Sequence, residues 1–120
     1  MASPSEIVEQ YFDAWTSGDF ETARSLLRDD MSFRGPIDTF DNADALLSSI
    51  KGLAQIVTGA ERRGLLAEGD QVCVVYDLHT APVPTAHIAE WYRVEHGKIA
   101  SMEAFFDARP FAAMFEQRGA

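Results

Sequence analysis

The chain has 120 residues, of which 47% are hydrophobic and 24% are charged, a composition that predicts one globular domain over residues 1–120. Ten Lys and Arg against nineteen Asp and Glu give a formal net charge of −9, which disfavours nucleic acids and anionic membranes as partners. A single Cys73, a start without a secretory signal and the lack of an apolar stretch of about 20 residues predict a soluble, cytoplasmic protein that spans no membrane.

Three helices are predicted in the first half of the chain. Ser3 to Glu6 form a capping box with proline at the first helical position, and Gly18 is placed to end this first helix. Asp19 is expected to cap a second, shorter helix that Asp29 and Asp30 interrupt. A third helix is expected over about 42–57, with Asp41 as its cap.

The second half of the chain has the period-two pattern of strands. After a short strand at 31–33, further strands are predicted at 72–78, 86–94 and 99–106, and the tail at 109–115 is expected to make another helical turn or two. Helices followed by a meander of antiparallel strands predict an α+β domain with its helices on one face of a curved sheet.

Five segments in this order resemble one superfamily. They read YFDAWTSGD at 11–19, LRDDMSFRGP at 27–36, EGDQV at 68–72, WYRVEHGKI at 91–99 and MEAFFD at 102–107. Together they are similar to the nuclear transport factor two-like superfamily, which includes SnoaL-like polyketide cyclases and ketosteroid isomerases. The resemblance implies a cystatin-like cone, with helices packed on a curved antiparallel sheet that encloses a pocket.

The isomerase branch implies roles for individual residues. Tyr11 falls on its oxyanion-hole tyrosine, and Glu90 falls on the carboxylic acid that stays neutral to donate a hydrogen bond. Gly35 stands where those enzymes carry their general base, which argues against true ketosteroid isomerase activity. Asp38, in the following loop, is a candidate replacement for the base, although a turn before the third helix is the commoner role of such a residue.

Alternation along the strands predicts which side chains line the pocket. If Glu90 points inward, so do the alternate residues of its strand and the apolar alternate residues of the preceding one. The predicted ligand-binding residues are Trp15, Phe33, Ile50, Leu53, Val74, Tyr76, Leu78, Tyr92, Met102, Ala104 and Phe106. A mostly apolar lining with a few polar groups is typical of a small-molecule site.

Two interpretations fit each of the main polar residues. Glu90 is either a surface carboxylate or a buried acid whose pKa is raised by desolvation. If it is buried, its carboxyl group and the Tyr76 hydroxyl could also simply hydrogen-bond to each other across the hairpin. Tyr11 is either a core tyrosine or a hydrogen-bond donor to a ligand carbonyl.

The pattern of residues on the outer face of the sheet indicates a protein partner and no metal site. His79, His87 and His96 lack metal-ligand spacing, and no glycine-rich phosphate loop is present, so neither a metal nor another cofactor is expected. Val75, Trp91 and Phe105 would be exposed large apolar groups on the outer face, which indicates a homodimer through that face.

These patterns support two functional hypotheses. One is a SnoaL-like domain that binds a small apolar ligand bearing a carbonyl or hydroxyl group, with proton-transfer chemistry of the isomerase, cyclase or dehydratase type. Catalysis would then fall to Tyr11, Glu90 and Asp38. The other is a non-catalytic binding or dimerisation domain, which the glycine at position 35 favours.

Overall fold

Three helices and six strands make up the computed structural model, which describes residues 2–81 and 83–111. The helices are α1 (Pro4–Thr16), α2 (Phe20–Ser25) and α3 (Ala43–Ala54). The strands are β1 (Leu27–Arg34), β2 (Thr39–Phe40), β3 (Val57–Glu68), β4 (Gln71–Thr80), β5 (Ala86–Glu95) and β6 (Lys98–Phe105). The helices pack on one face of the sheet, so the predicted α+β class is confirmed.

The ends of α1 and α2 follow from their capping residues. The Ser3 hydroxyl accepts a hydrogen bond from the Glu6 backbone, while the Glu6 carboxylate accepts one from the Ser3 backbone, as the capping box predicts. Gly18 follows the helix with a φ of 86°, a conformation that costs glycine little. Asp19 then caps α2 through the backbone N–H of Thr22.

The third helix is shorter than predicted. It is capped by Asn42, whose side-chain oxygen accepts from the backbone of Ala45, and not by the predicted Asp41. It ends at Ala54, and Val57 already begins β3. The apolar residues from 53 to 57 fit a helix or a strand equally well, so their spacing alone does not locate the boundary.

The sheet has the strand order β2-β1-β6-β5-β4-β3. Strands β4 to β6 form the predicted antiparallel meander, and β3, which was not predicted as a strand, extends it. Strand β1 pairs with β6 in parallel, so the sheet is mixed and not wholly antiparallel as expected. Strand direction depends on the path of the intervening chain, and periodicity carries no information about it. Register shifts in β3 and between β5 and β6 bend the sheet, giving it a concave face toward the helices.

The first strand is longer than the three residues predicted for it. Asp29 and Asp30 were expected to break the second helix, but α2 already ends at Ser25, and both residues lie exposed within β1. They are tolerated there because Arg24 bonds Asp29 at 2.7 Å and Arg28 bonds Asp30 at 3.1 Å. Leu27 and Met31 of the same strand are fully buried and fix it to the core.

Two further predictions concern the ends of the fold. A helical turn occupies 109–111, where the tail helix was expected, and the rest of that prediction lies outside the described residues. Within the described part of the chain, no helix combines the length and apolar character needed to cross a membrane.

Candidate functional site

A cavity of about 320 Å³ lies between the concave face of the sheet and helices α1 and α3. Most of the residues predicted to bind or act on a ligand line it. They are Tyr11, Trp15, Phe33, Asp38, Ile50, Leu53, Tyr76, Leu78, Glu90, Met102, Ala104 and Phe106. Residues from both helices and from four strands are therefore brought together at one site.

Two of the predicted ligand-binding residues, Val74 and Tyr92, do not line the cavity. Both are on the inner face, as the alternation predicts, and both are completely buried. They sit in the packed core because the narrow part of the cone is filled by side chains. Alternation identifies the face of a strand and does not give the depth at which the cavity begins.

Some of the lining residues that the prediction missed come from segments without strand or helix periodicity. The loop between β1 and β2 contributes Gly35, Pro36 and Ile37, and the tail contributes Phe111. Phe40, Leu46, Ser49, Gly52, Ile56 and Ile88 also line the cavity. Ile88 shares the parity of Glu90, and that signal identified its face; the loop and tail residues carry no comparable signal.

The polar end of the cavity is centred on Glu90. Its side chain faces inward and the residue is 8% exposed, so the interpretation of Glu90 as a surface carboxylate is wrong. The Tyr92 hydroxyl donates a hydrogen bond to its Oε1 at 2.5 Å. Burial raises the pKa of Glu90, and the hydroxyls of Tyr92 and Tyr76 oppose that rise because they stabilise the carboxylate.

Tyr11 projects from α1 toward the same end of the cavity. Its hydroxyl is buried and has no hydrogen-bond partner among the residues that the structure describes. Burial raises the pKa of Tyr11 well above its usual value, and the Glu90 charge raises it further, so the phenol is a neutral O–H donor. Its ring packs edge-on against that of Tyr92, with centroids 6.1 Å apart.

Tyr76 reaches the polar end of the cavity from β4. It pairs with Ile88, and Glu90 pairs with Val74, so Tyr76 is diagonal to Glu90 and not directly opposite. Its ring lies edge-on to Phe12, with centroids 4.9 Å apart. Burial and the Glu90 charge raise the pKa of Tyr76 well above its usual value.

Asp38 and Gly35 lie at the mouth of the cavity. The backbone N–H of Gly35 donates to the carbonyl of Asp38 at 2.9 Å, which closes the loop, and the Asp38 side chain is exposed. A Cβ at position 35 would lie 3.0 Å from two ring carbons of Phe33. A side chain at position 35 would therefore require the Phe33 ring to move.

The outer face of the sheet carries both charged and apolar groups. Asp77 is held by His87 at 2.7 Å and by Arg63 at 3.0 Å, and its pKa is lowered by both. His79 contacts Glu61 and Thr85 instead, so the two histidines have separate partners. Within the ranges 2–81 and 83–111, no group of three His, Cys, Asp or Glu is placed to hold a metal ion.

Apolar side chains on the outer face are exposed, as their parity predicts. Val75 is 39% exposed, Trp91 45% and Phe105 51%. Leu66, which the sequence did not single out, is 74% exposed on the neighbouring strand. Because Leu66 pairs with Cys73 and Cys73 pairs with Trp91, these side chains are continuous across the sheet, and we call these four residues the outer apolar patch.

Solved structures share this fold. A protein from Kribbella flavida DSM 17836 is 28% identical, with a TM-score of 0.86 over 94% of this chain and 93% of its own. An NTF2-like protein of unknown function from Cytophaga hutchinsonii is 21% identical, with a TM-score of 0.82 over 93% of this chain and 96% of its own. A de novo designed protein with a curved β-sheet is 18% identical, with a TM-score of 0.82 over 98% and 96%.

The amino-acid sequence itself matches a family model. No curated protein matches the chain. The model of the SnoaL-like domain matches residues 8–102, which include Tyr11, Glu90 and Tyr92 and all of the sheet except the end of β6. The resemblance deduced from the five segments is therefore confirmed: the chain belongs to the SnoaL-like domain family, and it shares its fold with NTF2-like proteins.

Proposed function

We propose that this protein binds a small apolar molecule bearing a carbonyl or hydroxyl oxygen, with that oxygen beside Tyr11 and Glu90. The observation that carries the proposal is the Tyr11 hydroxyl, which is buried at the cavity without a hydrogen-bond partner in the described chain. Leaving a buried donor unpaired costs about 1–3 kcal/mol. A ligand oxygen would remove that cost.

The rest of the cavity fits the apolar body of such a ligand. Trp15, Leu53, Leu78 and Met102 are among the apolar side chains around it, and its volume is in the lower range of small-molecule pockets. A designed protein shares the fold at 18% identity, so the fold alone does not specify a ligand. The proposal therefore depends on the polar end of this cavity.

The test compares 2-naphthol with naphthalene, which has the same ring system without the hydroxyl. We expect wild-type protein to bind 2-naphthol more tightly, as measured by fluorescence titration. Tyr11→Phe should weaken 2-naphthol binding about fivefold to tenfold, the value of one hydrogen bond, and leave naphthalene binding unchanged. Failure of 2-naphthol to bind, or an equal loss of affinity for both compounds in Tyr11→Phe, would contradict the proposal.

A second candidate function is proton-transfer catalysis in the same cavity. It is favoured by Glu90, a carboxyl whose pKa is raised by burial and which lines the cavity, with Asp38 at the mouth as a second carboxyl. Assays with α,β- and β,γ-unsaturated ketones would detect isomerisation by the change in absorbance of the conjugated enone. Turnover that Glu90→Gln abolishes and Asp38→Asn slows would support it, and turnover unchanged in Glu90→Gln would oppose it.

We also propose that the outer apolar patch pairs with the same patch of a second copy. The chain carries a net charge of −9, yet its outer face includes Arg63, His87 and Arg93 beside Asp77 and Glu103, so this face is not uniformly negative. A two-fold contact can therefore align opposite charges around a shared apolar centre. Sedimentation equilibrium should give the mass of a dimer. A monomeric mass at a protein concentration of about 100 μM would refute the proposal, because even a weak dimer forms at that concentration.

A further inference from the structure

Tyr92 is a buried residue of β5 that the ligand-binding proposal does not use. It is completely buried and is absent from the residues lining the cavity. It follows Glu90 by two positions, so the two side chains share one face of the strand and are separated by about 7 Å along it. Tyr92 therefore lies behind Glu90, farther into the core, where Val72 and Met102 are its strand neighbours.

Tyr92 contacts both polar groups of the cavity. Its hydroxyl donates to Oε1 of Glu90 at 2.5 Å. Its ring meets the ring of Tyr11 edge-on, at 6.1 Å between centroids and 68° between planes. An edge-on contact of this kind restricts the tilt of both rings, and a short bond to a carboxyl group restricts its rotation.

We propose that Tyr92 is a positioning residue that holds the Glu90 carboxyl and the Tyr11 ring in place for a ligand that Tyr92 itself does not touch. Because the bond from Tyr92 engages Oε1, Oε2 remains as the carboxyl oxygen that meets the ligand. This inference rests on the proposed binding function, since it assigns the ligand oxygen to the space between Tyr11 and Glu90.

The Tyr92 hydrogen bond also affects the charge of Glu90. The titratable groups around this carboxyl are Tyr11 from α1, Tyr76 and Cys73 from β4, and Tyr92 from β5 itself. Among the described residues the Tyr92 hydroxyl donates to Glu90, and it lowers the pKa of Glu90 more than Tyr76 does. Removing the Tyr92 hydroxyl removes a donor to the carboxylate, so the pKa of Glu90 should rise.

The first experiment follows the ionisation of Glu90 in ligand-free protein. The ¹³C shift of its carboxyl carbon is titrated against pH in wild type, Tyr92→Phe, Tyr76→Phe and Tyr11→Phe. We expect the midpoint to move upward most in Tyr92→Phe, less in Tyr76→Phe and least in Tyr11→Phe, which removes no hydrogen bond to the carboxyl. An unchanged midpoint in Tyr92→Phe would overturn the proposal.

A wild-type measurement covers the case in which Tyr92→Phe fails to fold. The ¹³C shift of the Tyr92 ring carbon that bears the hydroxyl should follow the pH with the same midpoint as the Glu90 carboxyl, because one hydrogen bond joins them. Independent midpoints would overturn the proposal, since a bond that positions the carboxyl must sense its charge.

The second experiment measures positioning through ligand binding. Tyr92→Phe should weaken 2-naphthol binding about fivefold and leave naphthalene binding unchanged, although Tyr92 does not line the cavity. In a Glu90→Gln background the same change should have a smaller effect, because the group that Tyr92 positions has been altered. Unaltered 2-naphthol affinity in folded Tyr92→Phe would overturn the positioning role.

The two experiments separate the two proposals. If wild-type protein binds neither compound, the proposed function fails, and the titration of Glu90 in ligand-free protein still tests its contact with Tyr92. If 2-naphthol binds and depends on Tyr11 but not on Tyr92, the function stands and the positioning role falls.

Discussion

Two carboxyl groups on opposite faces of the same sheet have equal solvent exposure but opposite pKa shifts. Glu90 faces the cavity and Asp77 faces outward, and each residue is 8% exposed. Burial raises the pKa of Glu90, whereas His87 and Arg63 lower the pKa of Asp77. The inner carboxyl therefore holds its proton more tightly than a free one, and the outer carboxyl more loosely.

The difference comes from the partners of each group. Glu90 is met by neutral tyrosine hydroxyls, which only partly replace the lost hydration, while Asp77 is met by a guanidinium and an imidazole. An enclosed polar end with tyrosine hydroxyls suits recognition of an uncharged ligand oxygen. A paired, charged group suits an outer face on which salt bridges surround apolar side chains. The two faces are thus chemically distinct although their residues alternate along the same strands.

The largest expected effect tests the distinction between faces at two adjacent residues. Val74 is completely buried on the inner face, and Val75 is 39% exposed on the outer face. Val74→Asp places a charge in the core without a partner and should cost at least about 4 kcal/mol, much of the stability of a small domain. Val75→Asp should cost about 1 kcal/mol in the monomer, because its carboxylate remains in water.

Urea denaturation followed by circular dichroism measures both variants, at a protein concentration low enough to keep the chain monomeric. Similar losses of unfolding free energy in Val74→Asp and Val75→Asp would mean that the two faces are not distinct in their exposure to solvent.

The second expected effect concerns self-association through the outer apolar patch. Trp91 is 45% exposed on this face and bonds Gln71 through its indole N–H. If two copies meet there, Trp91→Glu should weaken dimerisation by at least tenfold, since a central Trp commonly contributes 2 kcal/mol or more. Gln10→Glu on the exposed side of α1 adds the same charge and is the control. Equal dissociation constants for the two variants in sedimentation would contradict this interface.

The sequence predicts which face of the sheet a side chain is on better than it predicts how deeply that side chain is buried. Alternation along β5 was enough to put Glu90 inside and Trp91 outside, because one buried face leaves little freedom of register. It did not separate Tyr92 from Ile88, which share that parity, because depth within the cone depends on how the helices close over the sheet. Alternation along β4 likewise puts Asp77 on the outer face, but it gives no sign of the hydrogen bond from Arg63, fourteen residues away in sequence.

The boundaries that the sequence left open have a common cause. The end of α3, the parallel pairing of β1 and the contribution of Ile37 to the cavity all depend on contacts between segments far apart in the chain. Local signals located the caps of α1 and α2 because capping residues act within one helical turn. Local signals do not determine which strand edge is left for β1.

The third expected effect is the dependence of stability on Glu90 ionisation. Its folded-state pKa is raised, so the native chain holds this proton more tightly than the unfolded chain, and stability is lost as the pH rises from about 4.5 through the folded pKa. Glu90→Gln should remove that loss and be relatively more stable at neutral than at acid pH. Each unit of pKa difference corresponds to about 1.4 kcal/mol.

Chemical denaturation at a series of pH values provides the measurement, with Asp38→Asn as a control at an exposed carboxyl on the mouth of the cavity. A difference in unfolding free energy between wild type and Glu90→Gln that does not change with pH would show that burial does not raise the pKa of Glu90.

The smallest expected effect has the opposite sign and comes from Asp77. Its folded-state pKa is lowered, so the contribution of Asp77 is complete above the unfolded pKa of about 3.9 and is lost as the pH falls through the folded value. Asp77→Asn should therefore destabilise the chain at neutral pH, and the difference from wild type should shrink in acid. The effect is small because Arg63 and His87 are themselves largely exposed, and water screens their attraction to Asp77.

His87→Ala should reproduce only part of this loss of stability, since Arg63 remains. If the stability profiles of Asp77→Asn and Glu90→Gln instead changed with pH in the same direction, burial would dominate both carboxyls and their partners would not distinguish the two faces.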